Sequence, residues 1–427
     1  MPAVTKRLAK MLIVFVTSAI CATAVADDWP QWRGPNRDGI SKETGLLKEW
    51  PKDGPKLAWT AKDLGNGYGT PSIAAGRIFL MTNQGVEDES VKALDAKDGS
   101  PLWSTRIGKV GYPNQQPNYP GARSTPTVDG TMLYAISSDG DLACLDAATG
   151  KIQWQKNLRT DFGGKAGIWG YAESPLIDGD LLLCTPGGAD ATVVALDKKT
   201  GNVIWKSAIP GGDAAGYSSI MSTDTGGVKQ YIAYTAVGLN GLDAKSGKFL
   251  WQYDKTKGPM GMSILTPVIH DQLIYTGSFG RAGGGGGAVK LAANQGSVAA
   301  EQAYYDPKLP VAIGGAVQVG GYLYGCNPQV MVCADFNTGQ IKWTNRSAAP
   351  GALCYADGRL YLHAENGLVA LIEATPDAYR EHGRFTPPNS PTKINSMEKS
   401  WAYPIIANGK LYIRDTQMLW CYDISAP

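Results

Sequence analysis

ALDAKDGSPLW, residues 93–103, decides how the rest of the chain is read. It packs two aspartates, a lysine, a glycine and a tryptophan into one short segment, a set that suits an active site as well as a turn. The stretch recurs as CLDAATGKIQW (144–154), ALDKKTGNVIW (195–205), GLDAKSGKFLW (241–251) and CADFNTGQIKW (333–343). Recurrence at a steady interval marks a structural unit that the architecture uses repeatedly. The aspartate can accept bonds from backbone N–H groups two or three residues on. The glycine supplies the positive φ of a tight hairpin, and the tryptophan falls on the next strand, where it can pack against a neighbouring unit.

The repeated triads are Asp95, Gly99 and Trp103; Asp146, Gly150 and Trp154; Asp197, Gly201 and Trp205; Asp243, Gly247 and Trp251; and Asp335, Gly339 and Trp343. The aspartates are 51, 51, 46 and 92 residues apart. The doubled gap hides a worn copy, KLAANQGSVAAEQ, in which Ala292 and Ala300 replace the aspartate and tryptophan. A second worn copy is LIEATPDAYRE (371–381), and an eighth breaks off after Asp423. Ahead of each copy runs a short strand, in half of the units opened by Ser/Thr-Pro, then a turn and an alternating apolar strand, as in TPTVDGTMLYAISSDGDLACLDAATGKIQW (125–154). Four period-2 strands per unit, used eight times, predict an all-β fold: an eight-bladed β-propeller of four-stranded antiparallel blades. KLAWTAKD (56–63), with Trp59, is an orphan strand that completes the eighth blade and closes the ring. The 53 glycines, 26 prolines and 12 tryptophans agree with turns and aromatic-stapled strands.

Residues 1–26 differ from the rest. Lys6, Arg7 and Lys10 precede the apolar run MLIVFVTSAI and the small-residue end Ala24-Val25-Ala26, the pattern of a secretory signal peptide cleaved near Ala26. Ile20 ahead of Cys21 does not suit a lipoprotein signal. The expected organisation is signal peptide 1–26, extended arm 27–55 and propeller 56–427, periplasmic or secreted and monomeric. Cleavage removes three of 40 basic residues and none of 38 acidic ones, leaving 37 against 38 and a net charge near −1. That balance offers nothing to nucleic acid. The six remaining cysteines form no CxxC pair and read as small strand residues, without specifying disulfides. His270, His363 and His382 lie far apart, outside any metal spacing. RAGGGGGAVK lacks the Lys-Ser/Thr of a phosphate loop and reads as a hairpin tip in the fifth unit.

The AxDxxTGxxxW repeat closely resembles the tryptophan-docking motif of the pyrroloquinoline quinone (PQQ) propeller superfamily, over residues 56–427. That superfamily includes eight-bladed quinoprotein alcohol dehydrogenases and the non-enzymatic propeller lipoprotein of outer-membrane protein assembly. The segments DDWPQWRGPNRDGIS, IWGYAESPLIDGD and GKLYIRD look like those of bacterial exported PQQ-like repeat proteins. For an enzyme, the resemblance implies PQQ with calcium in the central channel, adjacent cysteines over the quinone, a tryptophan floor and a Glu, Asn and Asp set. No Cys-Cys dipeptide occurs, and no spacing fixes Asn or Asp partners for Glu173.

Function is therefore expected in the loops entering each unit's inner strand, which converge on one mouth of the channel. Tyr68, Arg123, Trp169, Tyr171, Glu173, Tyr217 and Trp401 are the candidate ligand-binding residues; no catalytic residue and no metal ligand is expected. The reading is a non-catalytic binding or scaffold module whose partner is a cell-envelope protein, a peptide or a polysaccharide. The alternative is a PQQ-dependent alcohol or sugar dehydrogenase.

Overall fold

The computed structural model describes residues 28–427 apart from 86, 112–120, 213, 226–227, 280–283, 295–296, 349 and 393–398. The predicted signal peptide lies outside the described residues. Eight four-stranded antiparallel sheets form a β-propeller. Each of the first seven blades uses consecutive strands; blade 2, for example, comprises Thr127–Asp129, Met132–Ile136, Asp141–Asp146 and Ile152–Asn157. Blade 8 takes Ile405–Ala407, Lys410–Asp415 and Met418–Asp423 from the C-terminal end and its outer strand, Lys56–Ala61, from the N-terminal side. The ring closes as the orphan strand predicted, with Lys56 opposite Asp423 and Ala61 opposite Leu419.

The first strands of blades 1 to 3, and those of blades 5 to 8, touch in succession around the axis, so the first strand of each blade is innermost. Strand direction alternates, which places the first-to-second and third-to-fourth turns on one face of the ring. The inter-blade entry loops and second-to-third turns lie on the other. The repeated motif is the third-to-fourth hairpin. Asp146 accepts the Thr149 N–H at 2.8 Å, Asp197 that of Thr200 at 2.8 Å, Asp243 that of Ser246 at 2.8 Å, Asp335 that of Thr338 at 2.9 Å and Asp95 that of Lys97 at 2.8 Å. All five motif glycines sit at φ between 70° and 75°.

The glycine has a second duty. A Cβ on Gly150 would fall 2.5 Å from Cε3 of Trp103, because the indole of one blade lies flat on the turn of the next. Trp59 covers Gly99, Trp154 covers Gly201 and Trp205 covers Gly247 in the same way. Indole N–H groups of Trp103, Trp154 and Trp343 also donate across the seams, to the carbonyls of Ala147, Lys198 and Thr375. Two copies depart from this scheme. Trp251 donates to Gln230 of its own blade at 2.8 Å and packs beside Gly241. In blade 5, where Ala300 holds the tryptophan position, Tyr304 covers Gly339 and donates to Phe336 O at 2.8 Å.

The glycine run of blade 5 is only partly a tip. Gly285, Gly286 and Gly287 belong to the strand Gly285–Asn294, and side chains there would collide with Tyr305, Tyr275 and the Tyr304 carbonyl. Gly283 lies outside the described residues. The cysteines of the described chain are all buried and unpaired. No helix among the described residues is long and apolar enough to cross a membrane.

Candidate functional site

Innermost strands present an unpaired edge to the lumen, and the arm covers several of those edges. Trp29 exchanges two 2.8 Å bonds with Ile73 of blade 1, and Pro30 O accepts from Val128 of blade 2. Gly39 O and Ser41 N bond to Tyr355 of blade 7. The predicted extended arm is instead a series of turns that enters and leaves by the turn face, where Asp28 caps Ala75 N and Glu43 accepts from Gly409 N. Two buried arginines pin it. Arg33 donates to Ala316 O at 2.6 Å, and Arg37 donates to Ser174 O at 2.9 Å and Pro175 O at 3.1 Å. Both hold positive φ, 62° and 58°. Burial lowers the Arg37 pKa to about 9.

At the inner tip of this plug stands Trp32, whose indole N–H donates to Thr266 Oγ1 at 3.0 Å and whose ring meets Tyr403 edge-on at 4.6 Å. Trp32 lines a cavity of about 260 Å³ at the loop-face mouth. The other lining residues are Tyr68, Arg123, Trp169, Ala172, Tyr217, Ser219, Met262, Ile264, Phe279, Ile313, Trp401 and Tyr403. Hollows of about 540 Å³ also lie on the flank of blade 1, lined by polar and charged side chains, and between blades 3 and 4, where Asp178, Lys229, Asp243 and Lys245 mix with Leu181 and Val228.

Five of the seven sequence-derived candidates, Tyr68, Arg123, Trp169, Tyr217 and Trp401, thus share one cavity. Tyr68 lies 4.9 Å from Trp401, Trp169 lies 6.1 Å from Tyr217, and the Arg123 guanidinium sits 5.7 Å over the Tyr68 ring. Tyr171 and Glu173 are not part of it. The entry segment is extended, so its residues alternate: Ala172 faces the lumen while its two neighbours turn away. Tyr171 is buried against Gly140 of blade 2 and donates to Pro186 O at 2.8 Å. Glu173 is buried and accepts from Thr185 N; burial pushes its pKa up to about 7 against that bond and the charge of Arg37. Behind Arg123, Glu89 accepts the Ser138 N–H at 2.8 Å, and burial again raises its pKa to about 7.

Ser and Thr at several strand openings tie neighbouring blades together at this mouth. Tyr403 N donates to Thr70 Oγ1 at 2.9 Å, Thr125 N to Ser174 Oγ at 2.8 Å and Ser174 N to Ser219 Oγ at 2.9 Å. Hydroxyls bridge successive blades where backbone ladders cannot. Arg414, of the GKLYIRD segment, reaches Gly69 O at 2.7 Å and Met81 O at 2.9 Å, and a Cβ on Gly67 would fall 1.9 Å from its guanidinium. Of the glycines of GNGYGT, Gly67 is the one that admits that arginine, while Gly65 and Gly69 pass close to Thr82 and to Ser124 O.

Chemically the cavity is aromatic, with Arg123 its one charged lining residue among those described. No carboxylate lines it, and no group of three or more His, Cys, Asp or Glu that could hold a metal ion occurs among the described residues. These residues do not fit a calcium-assisted quinone, which needs carboxylate and amide donors beside the ring. The histidines stand elsewhere: His363 is buried between Ala402 O at 2.9 Å and Ser400 Oγ at 3.1 Å, His382 contacts Glu373 at 3.3 Å, and His270 is on the surface near Asp271.

With ring, plug and mouth in place, the chain was compared with known proteins. The family model described as outer membrane protein assembly factor BamB matches residues 40–167, 87–319 and 239–378. The chain belongs to this PQQ-like propeller family. BamB of Moranella endobia is 24% identical over 208 residues, 44% of this chain and 49% of that protein. The chain thus matches about half the length of that curated relative. The crystal structure of BamB from Moraxella catarrhalis superposes with a TM-score of 0.61 at 13% identity, covering 87% of this chain and 98% of that one. Quinohemoprotein alcohol dehydrogenase from Comamonas testosteroni gives 0.63 at 13%, covering 94% and 81%. At such identity the BamB-like and enzyme propellers share the fold with this chain, and the fold alone.

Proposed function

We infer that this BamB-like protein is a non-catalytic recognition module of the cell envelope, exported by cleavage near Ala26, with the plugged channel mouth as its binding site. The observation that carries this reading is an aromatic cavity closed from below by the chain's own arm, without a carboxylate or histidine among its described lining residues. Those are the groups most often used for general acid–base catalysis, although tyrosine can also serve. Recognition needs buried aromatic and arginine anchors, which the cavity has. Similarity to an outer-membrane assembly factor supports a protein or peptide partner in the envelope.

The test places a photo-crosslinking amino acid at position 260, on the rim, or at position 408, on the opposite face, in the producing cells. An envelope component captured from 260 but not 408, and lost when Ala172→Phe fills the cavity, is the expected result. Equal capture at both positions, or none at 260, refutes the assigned site. Dye-linked alcohol oxidation by the purified protein with PQQ and calcium would overturn the non-catalytic reading.

A further inference from the structure

The rim of the cavity carries information about the occupant. Ile168, 37% exposed, precedes the lining residue Trp169, and Met260, 76% exposed, lies two residues before the lining residue Met262. Met260 also holds φ +54° within the short 3₁₀ turn Pro259–Gly261. A long unbranched side chain rarely takes that backbone conformation, and one so exposed contributes almost no burial to the fold in return. Tyr217, in the intervening entry loop, is itself buried, so the exposed apolar side chains flank the cavity at the entries to blades 3 and 5. Lys165, Lys255 and Lys257 lie in these entry loops with two acidic residues, Asp161, which accepts from Asn157 N, and Asp254, held by Lys257 at 3.3 Å.

Size narrows the occupant further. At about 30 Å³ per water, the cavity holds roughly nine waters, about the heavy-atom count of one indole side chain. A sugar, whose faces could stack on these rings, has only Arg123, Ser219 and the tyrosine and indole groups among the lining side chains to pair its hydroxyls. An inserted aromatic ring meets other rings and the Arg123 guanidinium without a set of hydroxyls to satisfy. Met260 and Ile168 would stay uncovered by a small molecule confined to the cavity, whereas a chain crossing the rim covers them, and methionine adapts to varied partners.

From this we propose that the occupant is an acidic polypeptide segment that inserts one aromatic side chain into the cavity and lays its flanking residues over Ile168 and Met260. The proposal rests on the reading of the cavity as the recognition site. The buried ring is the anchor, the methionine and isoleucine exclude water around it, and the lysines steer the acidic flanks.

The full chain is titrated with fluorescein-labelled acetyl-Glu-Gly-Trp-Gly-Glu-amide, with its Trp-to-Ser analogue and with its Lys-flanked analogue, by anisotropy. The tryptophan peptide binds at least tenfold tighter than the serine peptide, and the lysine flanks weaken it severalfold. Met260→Asp, at a position where aspartate tolerates positive φ, lowers affinity at least fivefold, and Ala172→Phe abolishes binding, both at unchanged melting temperature. Equal affinity for the tryptophan and serine peptides, no binding of either, or a neutral hexasaccharide that displaces the tryptophan peptide overturns the proposal. If capture from position 260 remains sensitive to Ala172→Phe while no peptide binds, the site stands and the ligand class falls. If capture is indifferent to Ala172→Phe, the site itself falls.

Discussion

The two faces of the ring are built on opposite principles. On the turn face, five copies of one hairpin carry a half-buried aspartate and a left-handed glycine, and in four of them an indole from the neighbouring blade covers the glycine. On the loop face no single motif recurs around the ring: tyrosine, arginine, tryptophan, methionine and phenylalanine converge from different loops on one cavity. The first face is held by local chemistry repeated, the second by distant segments meeting once. Carboxylates report the same contrast. Hydrogen bonds from Thr149, Thr200 and Ser246 hold Asp146, Asp197 and Asp243 below the usual carboxylate range. Burial pushes Glu89 and Glu173 up to about 7.

The contrast can be broken most sharply at Gly150. Gly150→Ala combines left-handed backbone strain of roughly 1–2 kcal/mol with an overlap onto Trp103 of similar size, and costs about 3 kcal/mol in denaturant unfolding. Gly130→Ala, on the same face and at φ +58° but with nothing within 4 Å, costs only the strain, about 1 kcal/mol. Equal losses at the two positions would mean that the docked indole does not matter.

A smaller effect separates the faces by pH. The turn aspartates stabilise the fold above the unfolded value near 3.8, and that contribution is lost as pH falls through their lowered folded values. Glu89 and Glu173 act in the opposite sense. Between about 4.5 and 7 the folded chain binds more protons than the unfolded one, so stability falls as pH rises through that window. Melting temperature is therefore expected to peak near pH 4 to 5, and the double variant Glu89→Gln, Glu173→Gln to flatten the alkaline limb while leaving the acid limb in place. A variant profile that parallels wild type would refute this assignment.

The smallest effect tests blade 5, where the two styles meet. Tyr304→Phe keeps the ring on Gly339 and loses only the bond to Phe336 O, for about 1 kcal/mol. Tyr304→Ala removes the staple and should cost at least twice as much by the same measurement.

The turn face was legible from the sequence because each of its contacts is encoded within eleven residues and stated five times. The ring closure was legible because a strand with Trp59 had no partner upstream and the eighth unit lacked one. Tyr304 escaped because blade 5 has ten-residue third and fourth strands, which carry the docking position four residues past Ala300. At the mouth, proximity to a strand opening found Tyr68, Arg123, Trp169, Tyr217 and Trp401. It could not show which way an extended segment turns its alternate side chains, and so it included Tyr171 and Glu173. Phe279 comes from a second-to-third turn, while Tyr403 sits directly before Pro404, where the sequence pattern of the strand already begins. Trp32 reaches the cavity only because the arm dips into the lumen as a plug, a long-range event that no local pattern announces.

That closure has a consequence for how the ring is made. Lys56–Ala61 must wait for Met418–Asp423, the strand made after every other one described. Until then seven blades stand as an open arc with unpaired strand edges at both ends. Closure is thus a late, non-local pairing that joins distant segments across a nearly finished ring. The interval before it is when this protein is most exposed to aggregation.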